Sequence, residues 1–299
     1  MTSGSEREYA ERILRVLVHI QEHLDSALPL DELARIAHFS PFHFHRVFRG
    51  MVGEPVAAHV RRLRLERAAQ SLKHTGRPII EIALAAGYES HEAFTRAFGA
   101  VFGASPSAFR ERASGATEIE SASGVHFISA SGGVPFTPAG PGRAPMEVEI
   151  KAIEPMRVAF LRHTGPYDEV GRTWDALMEW VGRGCHFGPG IQMFGACWDD
   201  PEVTPTDKIR YDACVTVGGN VRPEGPVAIQ TLGGGRYASV LHEGAYGGLG
   251  ATYAALMGRW FPSSGSEPGE APSLEFYLND PNTTDEEDLL TEVCMPIRF

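Results

Sequence analysis

The stretch HFSPFHFHRVF, residues 38–48, contains three histidines, and imidazoles can bind metals or contact DNA. On a helix His43 and His45, two residues apart, point to nearly opposite sides and cannot share a metal ion. No cysteine or acidic residue completes a ligand set within the stretch. We therefore expect no metal and no cofactor, and interpret the stretch as a helix that contacts something else.

The same stretch has the spacing of an amphipathic helix with a defined start. Ser40 is a good N-cap and Pro41 a good first helical residue. Apolar residues at helical spacing predict the buried stripe, which is Phe44, Val47, Phe48 and Met51. The side chains predicted to face outward are Phe42, His45, Arg46 and Arg49.

A second copy of this pattern follows along the chain. SPFHFHRVFRGMVG (40–53) aligns with SHEAFTRAFGAVFG (90–103) at an offset of 50. Ser90 is the equivalent cap, and His91 lies in the first turn. The spacing predicts a buried stripe of Phe94, Ala97, Phe98 and Val101. The residues that the same spacing predicts to face outward are Glu92, Thr95, Arg96 and Gly99.

Each of these helices follows a short amphipathic helix and a tight turn, in LDELARIAHF and IIEIALAAGY. This order, with arginine and polar residues exposed near the start of the second helix, is the helix-turn-helix plan. Arginine can bond guanine, and threonine or aromatic carbons can touch a thymine methyl. The helical pattern between the copies, 54–75, would be about 33 Å long, close to the ~34 Å between successive major grooves.

Over roughly residues 7–112 the sequence resembles the double helix-turn-helix domain of AraC-type transcription regulators. IIEIALAAGYESHEAFTRAFGAVFGASPSAFR carries the pattern A-x-x-x-G-Y-x-S…F-x-R-x-F…G-x-S-P almost intact. The resemblance implies base contacts by Phe42, His45 and Arg46 in the first copy and by His91, Glu92, Thr95 and Arg96 in the second. At the position of Glu92 the family pattern has a neutral polar residue. The carboxylate of Glu92 would instead accept a hydrogen bond from cytosine or repel a phosphate.

Charge is spread unevenly along the chain. The net charge is −11, yet residues 1–112 hold 15 Lys/Arg and 13 Asp/Glu, whereas the remainder holds 12 and 25. Between Arg46 and Arg77 there are eight basic residues and two acidic ones. This basic segment fits either a polyanionic partner or a solvated helix face, and charge alone does not separate the two.

Several features concern the compartment of the protein. No apolar run approaches the ~20 residues that span a bilayer. The start, MTSGSEREYAERI, is polar and acidic and is unlike a secretory signal. The cysteines show no CxxC spacing; they are Cys185, Cys197, Cys214 and Cys294. We expect a reduced cytoplasmic protein without a membrane partner.

Residues 113–145 are rich in Gly, Ser, Ala and Pro and divide the chain. This composition cannot bury enough apolar surface to fold alone, so it predicts a linker whose apolar patch VHFI could dock on a neighbour. The periodicity is helical before the linker, and alternating apolar runs separated by Gly and Pro follow it. The prediction is an all-α domain over 1–112 and an α+β domain over 146–299.

The second half is also duplicated. RVAFLRHTGPYDEVGRTWDALM (157–178) aligns with RYASVLHEGAYGGLGATYAALM (236–257) at an offset of 79. Each copy predicts strand, strand, helix, strand, strand. Two such units related by pseudo-twofold symmetry would leave a groove between them. Trp174 and Tyr253, at equivalent helix positions, are predicted to be core or groove residues.

The two copies differ at one carboxylate. Gly195 and Cys197 of the first copy correspond to Glu275 and Tyr277 of the second. Glu275 and Tyr277 share one face of their strand, opposite the apolar face, and glutamate is depleted in strands. From the residues alone, Glu275 is either solvent-facing or part of the groove.

Roughly residues 146–299 are similar to the GyrI-like ligand-binding domain of multidrug-responsive regulators. RHTGPY, TWDAL, DPEVTPTDKIRYDAC and LEFYLNDPNTTDEEDLLTEVCMPI carry the resemblance. It implies that Glu275 lies in an aromatic pocket and meets lipophilic cations. The aromatic residues assigned to this pocket are Trp174, Tyr246, Tyr253 and Tyr277, and Tyr167 is equivalent to Tyr246.

Together these features predict a DNA-binding transcription regulator that senses a small amphipathic, cationic molecule, in the domain order of Rob-type regulators. Because one chain carries two recognition helices, we expect a monomer on double-stranded DNA, with RNA polymerase as a further candidate partner. Two alternatives stay open for the second half, a hydrolase using Glu275 and Tyr277 as acid and base, or a protein-binding module. We expect binding rather than catalysis, because no nucleophile with a base and no phosphate loop is evident.

Overall fold

The computed structural model describes residues 4–112, 115–128, 133–138, 146–184 and 190–298. The chain forms two compact units. One comprises residues 1–143 with the short stretch 257–262, and the other comprises 144–256 and 263–299. The boundary falls inside the predicted linker. No helix within the described ranges is long and apolar enough to cross a membrane.

The first unit is helical, as its periodicity predicts. Its helices are α1 (Gly4–Glu22), α2 (Leu30–Ile36), α3 (Pro41–Val52), α4 (Val56–His74), α5 (Ile79–Ala85), α6 (His91–Phe102) and α7 (Pro106–Glu111). The hydroxyls of Ser40 and Ser90 accept from backbone N–H groups three residues on and fix the starts of α3 and α6. Both helices end at a left-handed glycine, Gly53 and Gly103. The predicted repeat is therefore two equivalent helix-turn-helix units, α2–α3 and α5–α6.

The predicted inward stripes of α3 and α6 are largely confirmed. The buried members are Phe44, Val47, Phe48, Met51, Phe94 and Phe98. The prediction that Val101 is buried is wrong, because it is 44 % exposed, and Ala97 is only half-buried. The stripe of α6 continues from Phe98 to Phe102 instead, since the Phe102 ring packs on the rings of Phe98 and Phe109 and takes the inward position.

Residues 115–128, within the predicted linker, lie against α1 and α4. Val125 is fully buried. Main-chain groups of this segment bond to the side chains of Gln21 on α1 and Glu66 on α4. The apolar patch VHFI thus docks on a neighbour, as expected, and Ile119 upstream of it also bonds to Glu66.

The second unit contains both repeats of strand, strand, helix, strand, strand in the predicted order. The first repeat is β1 (Glu149–Ile153), β2 (Met156–Thr164), α8 (Gly171–Arg183), β3 (Met193–Cys197) and β4 (Arg210–Thr216). The second is β5 (Ala228–Leu232), β6 (Gly235–Glu243), α9 (Leu249–Ala255), β8 (Ser273–Tyr277) and β9 (Leu290–Arg298). Between α9 and β8 the chain also forms a π turn (Leu256–Trp260) and α10 (Phe261–Ser264), whose residues 257–262 belong to the first unit, and the short β7 (Glu267–Pro268).

The strands form one antiparallel sheet in the order β1-β6-β9-β8-β3-β4-β2-β5, with β7 on β9. The repeats meet where β3 pairs with β8. Strands β1 and β2 lie towards opposite ends of this order, yet only residues 154–155 connect them, and only 233–234 connect β5 to β6. The sheet must therefore curl until its ends approach each other.

Gly233 lies in the connection between β5 and β6 and is close to Glu154 in the connection between β1 and β2. Its φ is +84°, and a Cβ there would lie 2.7 Å from the carbonyl oxygen of Glu154, so both the conformation and the space require glycine. One face of the curled sheet carries α8, whose Leu177 packs with Ala159 and Ala213. The opposite face packs on itself, through a cluster that includes Phe194, Leu274 and Cys294.

Candidate functional site

Glu275 lies on β8 at the junction of the two repeats. Its cross-strand partner is Gly195 on β3. Leu274 and Phe276 belong to the cluster on the self-packed face of the sheet, so strand alternation places Glu275 on the face that carries α8. Glu275 is only 7 % exposed, and the solvent-facing alternative is therefore wrong.

A chain of hydrogen bonds ends at the Glu275 carboxylate. The Tyr253 hydroxyl donates to Oε1 at 2.8 Å, and the Tyr277 hydroxyl donates to Oε2 at 3.1 Å. Because the Tyr277 proton is used in this way, the Tyr211 hydroxyl, 2.8 Å away, must donate to the Tyr277 oxygen. Tyr211 in turn accepts from the indole N–H of Trp174 at 2.8 Å. Every proton in the chain therefore points towards Glu275.

The carboxylate of Glu275 has no ion-pair partner among the described residues. The arginines near this sheet pair with other carboxylates, for example Arg162 with Asp212 and Arg210 with Asp199. Burial raises the pKa of Tyr211 and of Tyr277 well above the usual value, and the nearby Glu275 charge acts in the same direction. Both phenols therefore remain protonated donors at neutral pH, and among the described residues it is hydroxyl dipoles that contact the buried carboxylate.

Tyr211, on β4, is a member of this cluster that the sequence analysis missed. Its ring and hydroxyl lie over Gly195, where an added Cβ would be only 2.5 Å from them. A glycine inside a strand often marks such a close approach, so Gly195 was the available signal. The glycine of the first repeat therefore makes room for a phenol beside the carboxylate of the second.

Aromatic rings surround the hydroxyl chain. Trp174 and Tyr246 each meet the Tyr277 ring edge-on, with centroids 5.7 Å and 5.5 Å away. Tyr246 is 39 % exposed, and burial and the Glu275 charge raise its pKa. Tyr167, its repeat equivalent, packs on Tyr211 and donates to the Asp199 carbonyl at 3.1 Å. All five predicted pocket residues thus lie in one cluster with Tyr211.

Equivalent histidine–threonine pairs position the two helices that supply Trp174 and Tyr253. His163 Nε2 donates to the Pro166 carbonyl, which leaves Nδ1 to accept from the hydroxyl of Thr173, 3.4 Å away. In the second repeat His242 makes the same contacts, with the Ala245 carbonyl and with Thr252 at 2.8 Å. Each threonine immediately precedes the aromatic residue that enters the cluster. The duplicated RHTG and LHEG segments therefore have a structural role in placing these rings.

In α6, three of the predicted DNA-contacting residues are exposed near the helix N-terminus: His91, Glu92 and Arg96. Thr95 is half-buried. The pKa of Glu92 is lowered by a backbone N–H of the helix start and by the Ser90 hydroxyl. This carboxylate therefore serves the helix N-terminus, which reduces its availability to a base or a phosphate.

In α3, the predicted outward orientation of two residues is wrong. His45 is 4 % and Arg46 7 % exposed, whereas Phe42 and Arg49 are half-exposed. The guanidinium carbon of Arg46 lies 4.3 Å from the centroid of the Phe42 ring, so the long side chain folds back over its own helix. Base contacts by His45 and Arg46 stay a prediction that requires their side chains to turn outward.

No group of three metal-ligating side chains is found in the described part of the chain. His38 occupies the turn before α3 with a positive φ of 55°. The cysteines Cys197, Cys214 and Cys294 are buried free thiols, and burial raises the pKa of Cys294 to about 12. Cys185 lies outside the described residues.

Comparison with known proteins gives matches for both units. Residues 146–298 match the GyrI-like small molecule binding domain family, and residues 33–112 match a helix-turn-helix domain. The uncharacterized HTH-type transcriptional regulator YbfP of Bacillus subtilis is 38 % identical over 102 residues, 34 % of this chain and 35 % of that protein. The right origin-binding protein of Escherichia coli K12 is 38 % identical over 95 residues, 32 % of this chain and 33 % of that protein. The chain thus spans about a third of the length of these relatives.

Among solved structures, the EcmrR–DNA complex in EcmrR-RPo aligns with 51 % of this chain and 57 % of that chain. The TM-score is 0.44 at 19 % sequence identity.

Proposed function

Because this chain belongs to the GyrI-like small-molecule-binding family and carries an AraC-type helix-turn-helix domain before it, we propose that it is a one-component transcription regulator. The first unit binds specific DNA sequences, and the second binds a small amphipathic cation. The observation that carries the ligand assignment is the buried carboxylate of Glu275, which two phenols contact and no cation neutralises among the described residues.

The electrostatics of Glu275 favour a cationic ligand. A carboxylate removed from water is costly unless an opposite charge or several donors compensate it. Here Tyr253 and Tyr277 supply one donor each, and neither carries a charge. An entering cation would supply the missing charge, and the surrounding rings would contact its apolar groups and its charge. A neutral ligand would gain only the apolar contacts.

The DNA-binding proposal rests on the two helix-turn-helix units. Arg96 and His91 are exposed near the start of α6, where recognition helices contact base edges. Within the basic stretch of α3 and α4, Arg46 and Arg62 are buried, whereas Arg49 and Arg61 are at least partly exposed and would attract the phosphate backbone. The link between the two functions, and contact with RNA polymerase, belong to the same proposal. Transcription with purified polymerase, with and without a bound cation, tests both.

The ligand proposal is tested by calorimetry on the full chain with a lipophilic quaternary ammonium ion and an uncharged compound of the same shape. We expect Glu275→Gln to abolish the preference for the cation. The matched control is Glu243→Gln, the same change at an exposed position of β6. Equal binding of both compounds by the unaltered protein, or preference retained in Glu275→Gln, would contradict the assignment.

We propose a binding module rather than a hydrolase for the second unit. Both phenols donate into Glu275, and burial raises the pKa of Tyr277, so that this residue is not a nucleophilic phenolate at neutral pH. The hydrolase alternative predicts turnover of an electrophilic ester or epoxide that Glu275→Gln eliminates. A monomeric state is likewise a proposal, and sedimentation velocity of the full chain tests it.

A further inference from the structure

A segment between the two family matches is bound to the DNA-binding unit by its main chain. We call residues 115–128 the strap. Its Val125 is fully buried, and Ile119 packs against the apolar cluster formed by α4, α5, α6 and α7. Neither the composition of the strap nor either family match accounts for this contact.

The main anchor of the strap is Glu66, in the middle of α4. The residue is fully buried. Its Oε1 accepts from the backbone N–H of Ile119 at 2.9 Å, and its Oε2 accepts from the backbone N–H of Phe127 at 2.8 Å. The imidazole of His126 lies 3.1 Å from Oε1. A buried carboxylate without such donors would be strongly destabilising, so Glu66 on this helix face requires the strap.

Gln21, on α1, forms a second anchor. Its amide nitrogen donates to the His126 carbonyl at 2.7 Å, and its amide oxygen accepts from the Ile128 N–H at 3.4 Å. The side chain of Gln21 therefore pairs with the strap in the way that a neighbouring β-strand would. The two anchors thus both act on residues 126–128, and Glu66 also holds Ile119.

The Glu66 anchor continues to the end of the first recognition helix. Arg62 Nη1 donates to Glu66 Oε1 at 2.9 Å, and its Nη2 donates to Glu54 Oε1 at 2.6 Å. Glu54 directly follows Gly53, the left-handed residue that ends α3. His59 also contacts Glu54, at 2.8 Å. A set of hydrogen bonds thus runs from the strap through Glu66 and Arg62 to Glu54, which adjoins the end of α3 along the chain.

We propose that the strap is a positioning element for the first helix-turn-helix unit. Its N–H groups hold Glu66, Glu66 orients Arg62, and Arg62 fixes Glu54 at the C-terminal end of α3. Release of the strap frees Arg62 and Glu54 and loosens α3. The second unit of helices, α5–α6, shares only the apolar packing of Ile119 with the strap among the contacts described, and it lies outside this chain of hydrogen bonds. Because the strap also lies on the covalent path to the second unit, it is a point at which that unit can influence α3.

The test compares Glu66→Gln and Gln21→Ala in the full chain, with Glu120→Gln as the control. Glu120 is an exposed carboxylate on the strap itself, so the control makes the same chemical change without touching an anchor. Gln21→Ala weakens the second anchor and leaves the buried Glu66–Arg62 pair intact, which keeps the test informative if Glu66→Gln folds poorly. Hydrogen exchange of the Ile119 and Phe127 amides reports strap release directly.

The second measurement is binding of each variant to a duplex that the full chain has selected from a random-sequence pool. This measurement rests on the proposed function. Arg49, which is half-exposed on α3, is predicted to contact DNA as Arg96 is on α6. The α3 half-site is the part of the duplex where Arg49→Ala loses base preference, and the α6 half-site is the part where Arg96→Ala does. We expect both anchor variants to speed exchange in the strap and to weaken binding about fivefold or more, with a larger loss at the α3 half-site than at the α6 half-site. The control should match the unaltered protein.

Faster exchange in the strap with unchanged DNA binding would overturn the proposal, as would equal loss at both half-sites. Unchanged exchange in both variants would overturn the anchoring itself. If the full chain selects no duplex at all, the proposed function fails. The exchange measurement would still decide whether Glu66 and Gln21 hold the strap.

Discussion

Gly195 and Glu275 face each other across the β3–β8 pair, at equivalent positions of the two repeats. In the first repeat the glycine leaves room for the Tyr211 ring. In the second, Glu275 is accompanied by Thr291, the sequence equivalent of Tyr211. The first repeat thus combines a small residue, Gly195, with the large phenol of Tyr211. The second repeat combines the carboxylate of Glu275 with the small hydroxyl of Thr291. This difference creates a negative site at the centre of a nearly symmetric sheet.

Gly195→Ala is expected to destabilise the second unit by about 1–3 kcal/mol, because the new Cβ would overlap the Tyr211 ring and displace it from Tyr277. Urea denaturation followed by aromatic fluorescence measures this. Gly182→Ala is the control, since this exposed residue of α8 has open space around its Cα. That change should be neutral or stabilising by up to about 1 kcal/mol. Equal stability of both variants would show that Tyr211 does not need the space.

Tyr253→Phe removes one of the donors to Glu275 and is expected to lower the free energy of unfolding by about 1–3 kcal/mol. The cause is the buried carboxylate left with fewer donors, so the loss should shrink when Glu275 is already changed to Gln. A double-mutant cycle on the two positions measures this coupling. Tyr246→Phe is the control, because its ring contacts Tyr277 without a bond to Glu275. Additive effects of Tyr253→Phe and Glu275→Gln would rule out the coupling.

Local patterns predicted much of the fold. Ser40 and Ser90 were identifiable as caps, and the stripe of Phe44, Val47 and Phe48 as buried, because both depend on neighbours in the same helix. The duplications predicted the order of strands and helices, because each repeat must bury the same faces. Glu275 was identifiable because the repeat equivalent of this carboxylate is a glycine.

Features set by contacts distant in sequence were not predictable in the same way. Tyr211 enters the pocket from β4, and only the pairing of β3 with β4 and β8 brings it beside Glu275. The burial of Arg46 depends on the conformation of one long side chain over Phe42. Glu66 carried a signal that could have been used, since a carboxylate among apolar residues of α4 demands donors from elsewhere.

Acid is expected to weaken the first unit through Glu54. Burial alone would raise the pKa of Glu54, but the hydrogen bonds from His59 and Arg62 outweigh it and lower that pKa from 4.5 to about 2. Because the folded-state pKa lies below the unfolded one, the stabilisation is present above pH 4.5 and is lost as the pH falls towards 2. The full loss would be about 2–3 kcal/mol.

The measurement is the unfolding free energy of the full chain, followed by the helical circular-dichroism signal, between about pH 6 and pH 2. Glu54→Gln should be less stable at the upper end and should lose less stability on acidification. Glu111→Gln, an exposed residue of α7, should follow the unaltered protein at every pH. Parallel curves for Glu54→Gln and the unaltered protein would show that Glu54 does not titrate with unfolding.

Arg96→Ala is expected to weaken binding to the selected duplex by about 1–3 kcal/mol and to relax base preference at one position, because Arg96 is exposed on α6 where a bidentate contact to guanine can form. Arg46→Ala should instead lower thermal stability first, since its guanidinium is buried against Phe42. Arg183→Ala, an exposed arginine of the second unit, controls for the loss of one positive charge. Fluorescence anisotropy on the selected duplex and on random DNA, at two salt concentrations, separates these effects. Equal losses for Arg96→Ala on both duplexes, with a smaller salt dependence, would assign Arg96 to a phosphate instead of a base.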